Sequence, residues 1–370
     1  MKQTVDVAAY IWPAYTGKEP RTRIFWPEGI GEWETVQKAT SKCADHVWPR
    51  TPLLGYQEEA DPEVMEQQIE LALSHGVNTF IYDWYWYDGR PFLEQCLNEG
   101  FLKARNCEDM KFYLMWANHS ANYLWDRRGA SSDYRYTVIW EGKTDTVNYR
   151  AIAKHWFEDY FTRPNYYKIN GAPILSIYDL KNFIATFGTV AQTKEMMLWL
   201  KEEARNYGLP TVHFQFVHQG KVTNNLSGVD GGNFTEDILF ELPFDSVTHY
   251  QVVHVTDVNR DFGEIMADVT AEWERLSKKL HIPYFPHVSI GWDNNPRHSV
   301  LRPNIMKNNT PEAFRGAMEQ AKEFAMRNDV KLITVNSWNE WTEGSYLLPD
   351  DLNGYGYLEA IRDTVVEQDS

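Results

Sequence analysis

The sequence predicts a (β/α)8 barrel, a TIM barrel, and three observations lead there. Eight short apolar runs recur along the 370 residues, most of them followed by a helical pattern. Polar and aromatic residues gather just past the ends of those runs, whereas their first halves are apolar. The first run ends in Ile11-Trp12-Pro13 rather than in a Gly-rich phosphate loop, which argues against an open doubly wound sheet. No linker, low-complexity segment or short repeat interrupts the pattern, so residues 1–370 read as a single catalytic domain with long loops after strands 1 and 3.

The first strand is expected over Val5–Ile11, followed by an irregular stretch, Ala14–Asp61, rich in Pro, Gly and Trp. Loops of that length in a compact domain are usually lids or binding loops. A helix follows over Pro62–His75, with Asp61 as N-cap, Pro62 at the first helical position and Gly76 as stop. Strand 2 covers Asn78–Tyr82 and runs into D-W-Y-W-Y-D-G, with a helix of modest length after Pro91. Strand 3, Lys111–Trp116, carries an insertion to about Asp145 and then a helix over Val147–Phe161. Strand 4 is Pro173–Tyr178, with a helix over Gln192–Tyr207. Strand 5 is Thr211–Val217, leading to His218-Gln219-Gly220. Strand 6, Ser246–Gln251, has the weakest pattern, and little helix precedes it. A helix over Phe262–Leu280, strand 7 over Tyr284–Ile290 and a helix over Pro311–Arg327 lead to strand 8, Leu332–Val335. Tyr357–Val366 forms the last helix.

Composition narrows the partners. The net charge of −16 makes nucleic acid and anionic membrane surfaces poor general partners. No apolar run approaches the roughly 18 residues needed to span a bilayer, and no signal peptide is read at the N-terminus, which leaves the compartment open. Three cysteines without a C-x-x-C pattern do not make a disulfide framework or a Cys-rich zinc site. Fifteen tryptophans and 21 tyrosines exceed what a core requires and suggest a binding surface. N-x-S/T triplets at Asn118, Asn225, Asn233 and Asn308 matter only in a glycosylating pathway.

In a barrel, chemistry sits at the C-terminal ends of the strands. The sharpest stretch is there: after Leu332–Val335 the chain reads N-S-W-N-E-W-T-E-G, interleaving Glu340 and Glu343 with Trp338 and Trp341. Carboxylate pairs break glycosidic bonds, and indoles stack on the apolar faces of sugars. Two surface acids and two core tryptophans are the plain alternative. The other strand ends supply candidate substrate-binding residues: Tyr10 and Trp12; Asp83, Trp84 and Trp86; Trp116, Asn118 and His119; His218; Tyr250; Trp292 and Asp293; Asn339 and Trp341. Asp83 could instead be a cap and Asp293 an Asx turn. A metal-dependent hydrolase barrel would want H-x-H on the first strand, and A-A-Y-I-W-P has none. No metal and no cofactor is expected, and His119 and His218 read as hydroxyl-recognition residues.

These motifs resemble a known family. N-S-W-N-E-W-T-E-G-S-Y-L-L-P-D is similar to the W-N-E-W-x-E-G-x-x-x-x-P signature of glycoside hydrolase family 99 and its wider relatives, the WbsX-like proteins of bacterial polysaccharide loci. G-E-W-E-T-V-Q-K-A at Gly31–Ala39, the helix and strand from Pro62 to Gly89, and G-W-D-N-N-P-R at Gly291–Arg297 resemble further segments of that group. The resemblance implies a barrel acting on α-linked sugars with retention and without metal. Glu340 would act as base on the substrate 2-hydroxyl, and Glu343 would be the acid and then the base. Thr342 stands where family 99 enzymes carry His, so the sugar could differ, within the manno configuration shared by D-mannose and L-rhamnose. A transferase or transglycosylase on an oligosaccharide or polysaccharide, and a non-catalytic sugar-binding barrel, are the other readings.

Overall fold

A computed structural model describes residues 3–44, 46–219 and 236–367; Gly220 and the triplets at Asn225 and Asn233 lie outside them. Eight parallel strands form the barrel: β1 (Asp6–Ile11), β2 (Thr79–Tyr87), β3 (Lys111–Trp116), β4 (Ala172–Ile177), β5 (His213–His218), β6 (Ser246–His249), β7 (His287–Ser289) and β8 (Leu332–Asn336). Their order is β6-β5-β4-β3-β2-β1-β8-β7. The seam between β6 and β7 is joined by a parallel bridge, Val247 to Tyr284, and by backbone hydrogen bonds from Val247 N to Pro283 O (3.0 Å) and from Phe285 N to Val247 O (2.7 Å). The strand with the weakest sequence pattern is thus the one at the seam.

The β-strands are apolar on both faces because each faces the barrel interior on one side and a helix on the other. Val7, Ile81, Leu114, Ile174, Val247 and Ile333 are all fully buried. The helices obey their caps. Pro62–Ser74 begins at Asp61, whose carboxylate accepts from Glu63 N, and ends before Gly76 at φ +83°. Pro311–Arg327 begins at Thr310, whose hydroxyl accepts from Ala313 N.

Four segments differ from the pattern reading. β2 continues to Tyr87, because Arg90–Phe92 turns back and pairs with it antiparallel. The turns that follow Pro91 are a π-helix over Cys96–Gly100 and a 3-10 turn, not an α-helix. The helix after β3 is α only over Thr146–His155 and continues as a π-helix over Trp156–Phe161. The connection after β4 is two helices, Leu180–Phe187 and Val190–Glu203, broken at Gly188. Among the described residues, no helix is long and apolar enough to cross a membrane.

Candidate active site

Strand parity decides what faces the barrel mouth. Asp83 pairs with Met115 and Trp84 with Trp116 across β2 and β3. Side chains alternate along a strand, so Asp83, Tyr85, Met115 and Ala117 share the inner face, and Trp84 and Trp116 share the outer one. The inner set lines a cavity of about 360 Å³ together with Trp12, Trp125, Tyr178, Tyr250, Glu340 and Glu343.

Both glutamates come from a tight hairpin after β8. Asn339–Glu340 pairs antiparallel with Ser345–Tyr346, closed by a 3-10 turn over Trp341–Glu343. Gly344 returns the chain at φ +61°, where an added Cβ would meet Asp293 Cβ at 3.1 Å. Ser337 locks the base of the hairpin: its hydroxyl donates to Ser345 O (2.7 Å) and accepts from Glu340 N (2.8 Å). The side chains between the two acids turn away from the cavity. Trp341 stacks on Tyr346 at 3.9 Å, and the Thr342 hydroxyl donates to Glu32 Oε1 at 3.0 Å.

One guanidinium ties the acids together. Arg297 donates from Nε to Glu32 Oε1 (2.8 Å), from one terminal nitrogen to Glu343 Oε1 (2.8 Å), and from the other to Glu340 Oε2 (3.4 Å) and Glu32 Oε2 (3.3 Å). Glu32 is fully buried and also accepts from Trp12 Nε1. On the opposite side, the Tyr250 hydroxyl lies 3.0 Å from Asp83 Oδ2 and 3.3 Å from Glu340 Oε1. It carries one proton and can donate to only one of them at a time. Among the described residues, Asp83 Oδ1 and Glu343 Oε2 are buried with no hydrogen-bond partner.

This arrangement has electrostatic consequences. Burial, then the charge of Glu343, push the Glu340 carboxyl well above its ordinary range, against the pull of Arg297. Burial raises Glu343 as well, with Arg297 opposing. Burial also raises Asp83, with the Tyr250 hydrogen bond opposing and Glu343 adding to it. Buried carboxyls facing one another do not both ionise readily, so the pair can keep one proton for acid chemistry near neutrality while the other group stays a base. Aromatic rings wall the space. Trp12 lies 5.2 Å from Trp125 and 5.7 Å from Tyr85, and Tyr178 stands edge-on to Tyr250 at 5.4 Å.

Of the residues singled out in the sequence, Trp12, Asp83, His119, Tyr250, Glu340 and Glu343 meet at this cavity. His119 is half-buried, and desolvation lowers its pKa, which favours a neutral imidazole facing the space. The others lie elsewhere. Tyr10 sits behind Tyr250, its ring 4.8 Å away and its hydroxyl donating to His249 O. Trp84 and Trp116 face the helix layer and pack on Trp156, with Trp84 Nε1 donating to Glu94. Trp86 stacks on Trp84. Asn118 pairs with the backbone of Asp179. Asn339 pairs with the backbone of Trp12 and with Glu59, and Trp341 belongs to the core. Asp293 accepts from Trp48 and Asn295 and pairs with His46, and Trp292 lies beside it, half-buried.

His218 is next to His249 and, with Glu272, could present three ligand atoms within 4.8 Å of one another to a metal ion. That group is off the cavity. Both Glu272 oxygens already accept from Arg275 at 2.6 Å, which places a fixed positive charge beside any cation bound there.

Tyr85, Trp125, Arg297 and Glu32 were not among the residues singled out. Arg297 closes G-W-D-N-N-P-R, and Glu32 is the second residue of the G-E-W segment, so both lie within those motifs. Their contact joins positions 265 apart, which no local pattern reveals.

Residues 7–361 match the family described as glycosyltransferase WbsX. Two curated relatives, both named "Uncharacterized protein WxcX" and from two strains of Xanthomonas campestris pv. campestris, are 26% identical over 355 residues and 27% identical over 354. Each match takes in 93% of this chain and 47% of the relative, so the chain spans about half the length of these proteins. Among solved structures, the family GH99 endo-α-mannosidase from Bacteroides thetaiotaomicron superposes with a TM-score of 0.59 at 13% identity, covering 96% of this chain and 95% of that one. A structure named "Glycoside hydrolase-like protein" gives 0.60 at 13% identity, covering 98% and 94%. At such identities the likeness is one of fold. The match over nearly the whole chain, on a (β/α)8 barrel whose last strand carries the W-N-E-W-x-E-G hairpin, means that this chain belongs to the glycosyltransferase WbsX family, the WbsX-like group of GH99-like barrels.

Proposed function

We propose that this chain is a retaining glycosidase acting on an α-linked glycan of manno configuration, of the mannose or rhamnose type. The observation that carries the reading is the pair Glu340 and Glu343, held by one guanidinium at the rim of a cavity walled by aromatic rings. Glu340 takes the proton of the 2-hydroxyl as O2 attacks the anomeric carbon, and Glu343 protonates the departing oxygen, leaving a 1,2-anhydro sugar. Water then attacks the anomeric carbon and gives its proton to Glu343, while O2 recovers its proton from Glu340. Two inversions give net retention. The unpartnered Oε2 of Glu343 supports its role as the oxygen that faces the leaving group. Tyr250, between Asp83 and Glu340, orients the base, and Trp12, Tyr85, Trp125 and Tyr178 offer stacking faces.

The family description favours a second reading, transfer from an activated sugar. The charge of the cavity argues against a nucleotide diphosphate there. Asp83, Glu340 and Glu343 line it, and its guanidinium is already shared among three carboxylates. A diphosphate would meet unpaired carboxylate oxygens at close range in a poorly screened site. The test is the leaving-group dependence of Glu343→Ala. Rates on α-glycosides with poor leaving groups fall by about 10²–10⁴ while those with activated phenols fall far less, the signature of a lost acid. Equal losses on both, or consumption of a nucleotide sugar without hydrolysis by the parent, would overturn the reading.

A further inference from the structure

A second cavity, about 720 Å³, opens on the same end of the barrel, between Cys43 and residues 46–50 on one side and the residues leading into the helix Pro311–Arg327 on the other. Its charge is opposite to that of the acidic cavity. Arg50 and Lys307 line it, and among the described residues neither has a carboxylate within ion-pair distance, in a chain of net charge −16. The Arg50 guanidinium is half-buried. It stacks on Trp48 at 5.0 Å, and among the described residues its hydrogen bonds go to neutral oxygens, Val47 O at 3.3 Å and the Tyr346 hydroxyl at 3.5 Å. Against burial, and together with Tyr346, the charges of Asp293 and Asp350 act on Arg50 and raise its pKa, but their carboxylate oxygens are hydrogen-bonded elsewhere. Asp293 is taken by His46, Trp48 and Asn295, and Asp350 by the Tyr346 hydroxyl and the amides of Leu352 and Asn353. The N-cap Thr310 and the side-chain amides of Asn308, Asn309 and Asn353 add polar groups, and Ile305, Leu352 and Tyr357 supply apolar wall.

A half-buried guanidinium whose direct hydrogen-bond acceptors are neutral gains from an anion that bonds it in their place. Amides, an apolar wall and two cations that, among the described residues, form no ion pair are the chemistry that holds a sugar ring bearing an acid. We propose that this cavity is a second glycan-binding site that takes an anionic sugar unit, its carboxylate or phosphate lying between Arg50 and Lys307. The site is physically joined to the acidic pair: Asp293, on its floor, donates its backbone N–H to Glu343 O at 2.6 Å. It does not rest on the glycosidase reading, because binding is measured without turnover.

The experiment is calorimetric titration of the full chain with a trigalacturonate, a triglucuronate, a neutral mannotriose and inorganic phosphate, at low and moderate salt. The parent is expected to bind at least one acidic trisaccharide, at least tenfold more tightly than mannotriose. That affinity should fall at least tenfold in Arg50→Gln and severalfold in Lys307→Gln, and should weaken with salt. Glu343→Gln should leave it unchanged, which separates this site from the acidic cavity. Lys307 is exposed, so its variant keeps the test decisive even if Arg50→Gln folds poorly. Binding of inorganic phosphate with the same dependence on both cations would identify a phosphate-bearing unit and sustain the proposal. Absence of binding by every anion, or acidic-sugar binding indifferent to both substitutions, would overturn it.

Discussion

Arg297→Met removes the cation that holds the acidic cavity together, and the structure sets the size of the effect. The guanidinium makes four contacts of 2.8–3.4 Å to three carboxylates. Without it, among the described residues, Glu32 keeps Trp12 Nε1 and the Thr342 hydroxyl, and Glu340 keeps a share of the Tyr250 hydroxyl as its side-chain partner. Glu343 retains some access to water, with its side chain 13% exposed, so its share of the penalty is the smallest. Removing one partner from a buried ion network typically costs about 3–5 kcal/mol, and we expect the variant to lose that much. The assay is chemical denaturation at pH 7.5 and pH 5. A carboxyl whose folded pKa lies above its unfolded value costs stability as pH rises from the unfolded value through the folded one. Glu340 and Glu343 are already raised, and loss of Arg297 raises them further. The deficit of the variant should therefore shrink at pH 5. Arg297→Lys, which keeps the charge but not the fork, should fall between the two. A loss under about 1 kcal/mol, or a deficit that does not shrink in acid, would refute the reasoning.

Glu59 is buried, and desolvation pushes its carboxyl up to about 8, so the parent should lose stability as pH rises from its unfolded value to 8. Glu59→Gln keeps a partner for Asn339 Nδ2 and should flatten that slope in denaturation curves taken between pH 5 and 8.5. Gly344→Ala places a side chain at φ +61° against Asp293, at 3.1 Å from its Cβ and 3.3 Å from its N. It should cost about 1–3 kcal/mol in a urea melt, with activity falling as the hairpin shifts. Trp125→Ala removes one wall of the cavity and leaves the acids intact. It should raise KM about tenfold, with kcat changed less, in initial-rate kinetics on an α-glycoside.

Much of this architecture is legible in the sequence because the barrel repeats a simple rule. An apolar run buried on both faces is a strand wherever it falls, and caps such as Asp61 and Thr310 mark where helices begin. The hairpin at Glu340 and Glu343 stands out because carboxylates and indoles rarely alternate without cause. Three tryptophans show where the rule stops. Trp84, Trp86 and Trp116 sit at strand ends, yet the inner face belongs to Asp83, Tyr85 and Met115, since parity is counted from pairings that one strand does not reveal. Two helical turns, over Cys96–Gly100 and Trp156–Phe161, wind as π-helices, which periodicity does not separate from α. Glu32 and Arg297 carry the electrostatics of the cavity from opposite ends of the chain, and only the closed barrel brings them together.

The most direct test of the two-glutamate account is proton NMR of the first sugar released from an α-linked mannoside or rhamnoside, run beside Glu340→Gln and Glu343→Gln. The account predicts that the α-anomer appears first, and that both variants stay folded and lose turnover on the same substrate. Release of the β-anomer first, or full activity in either variant, would contradict it.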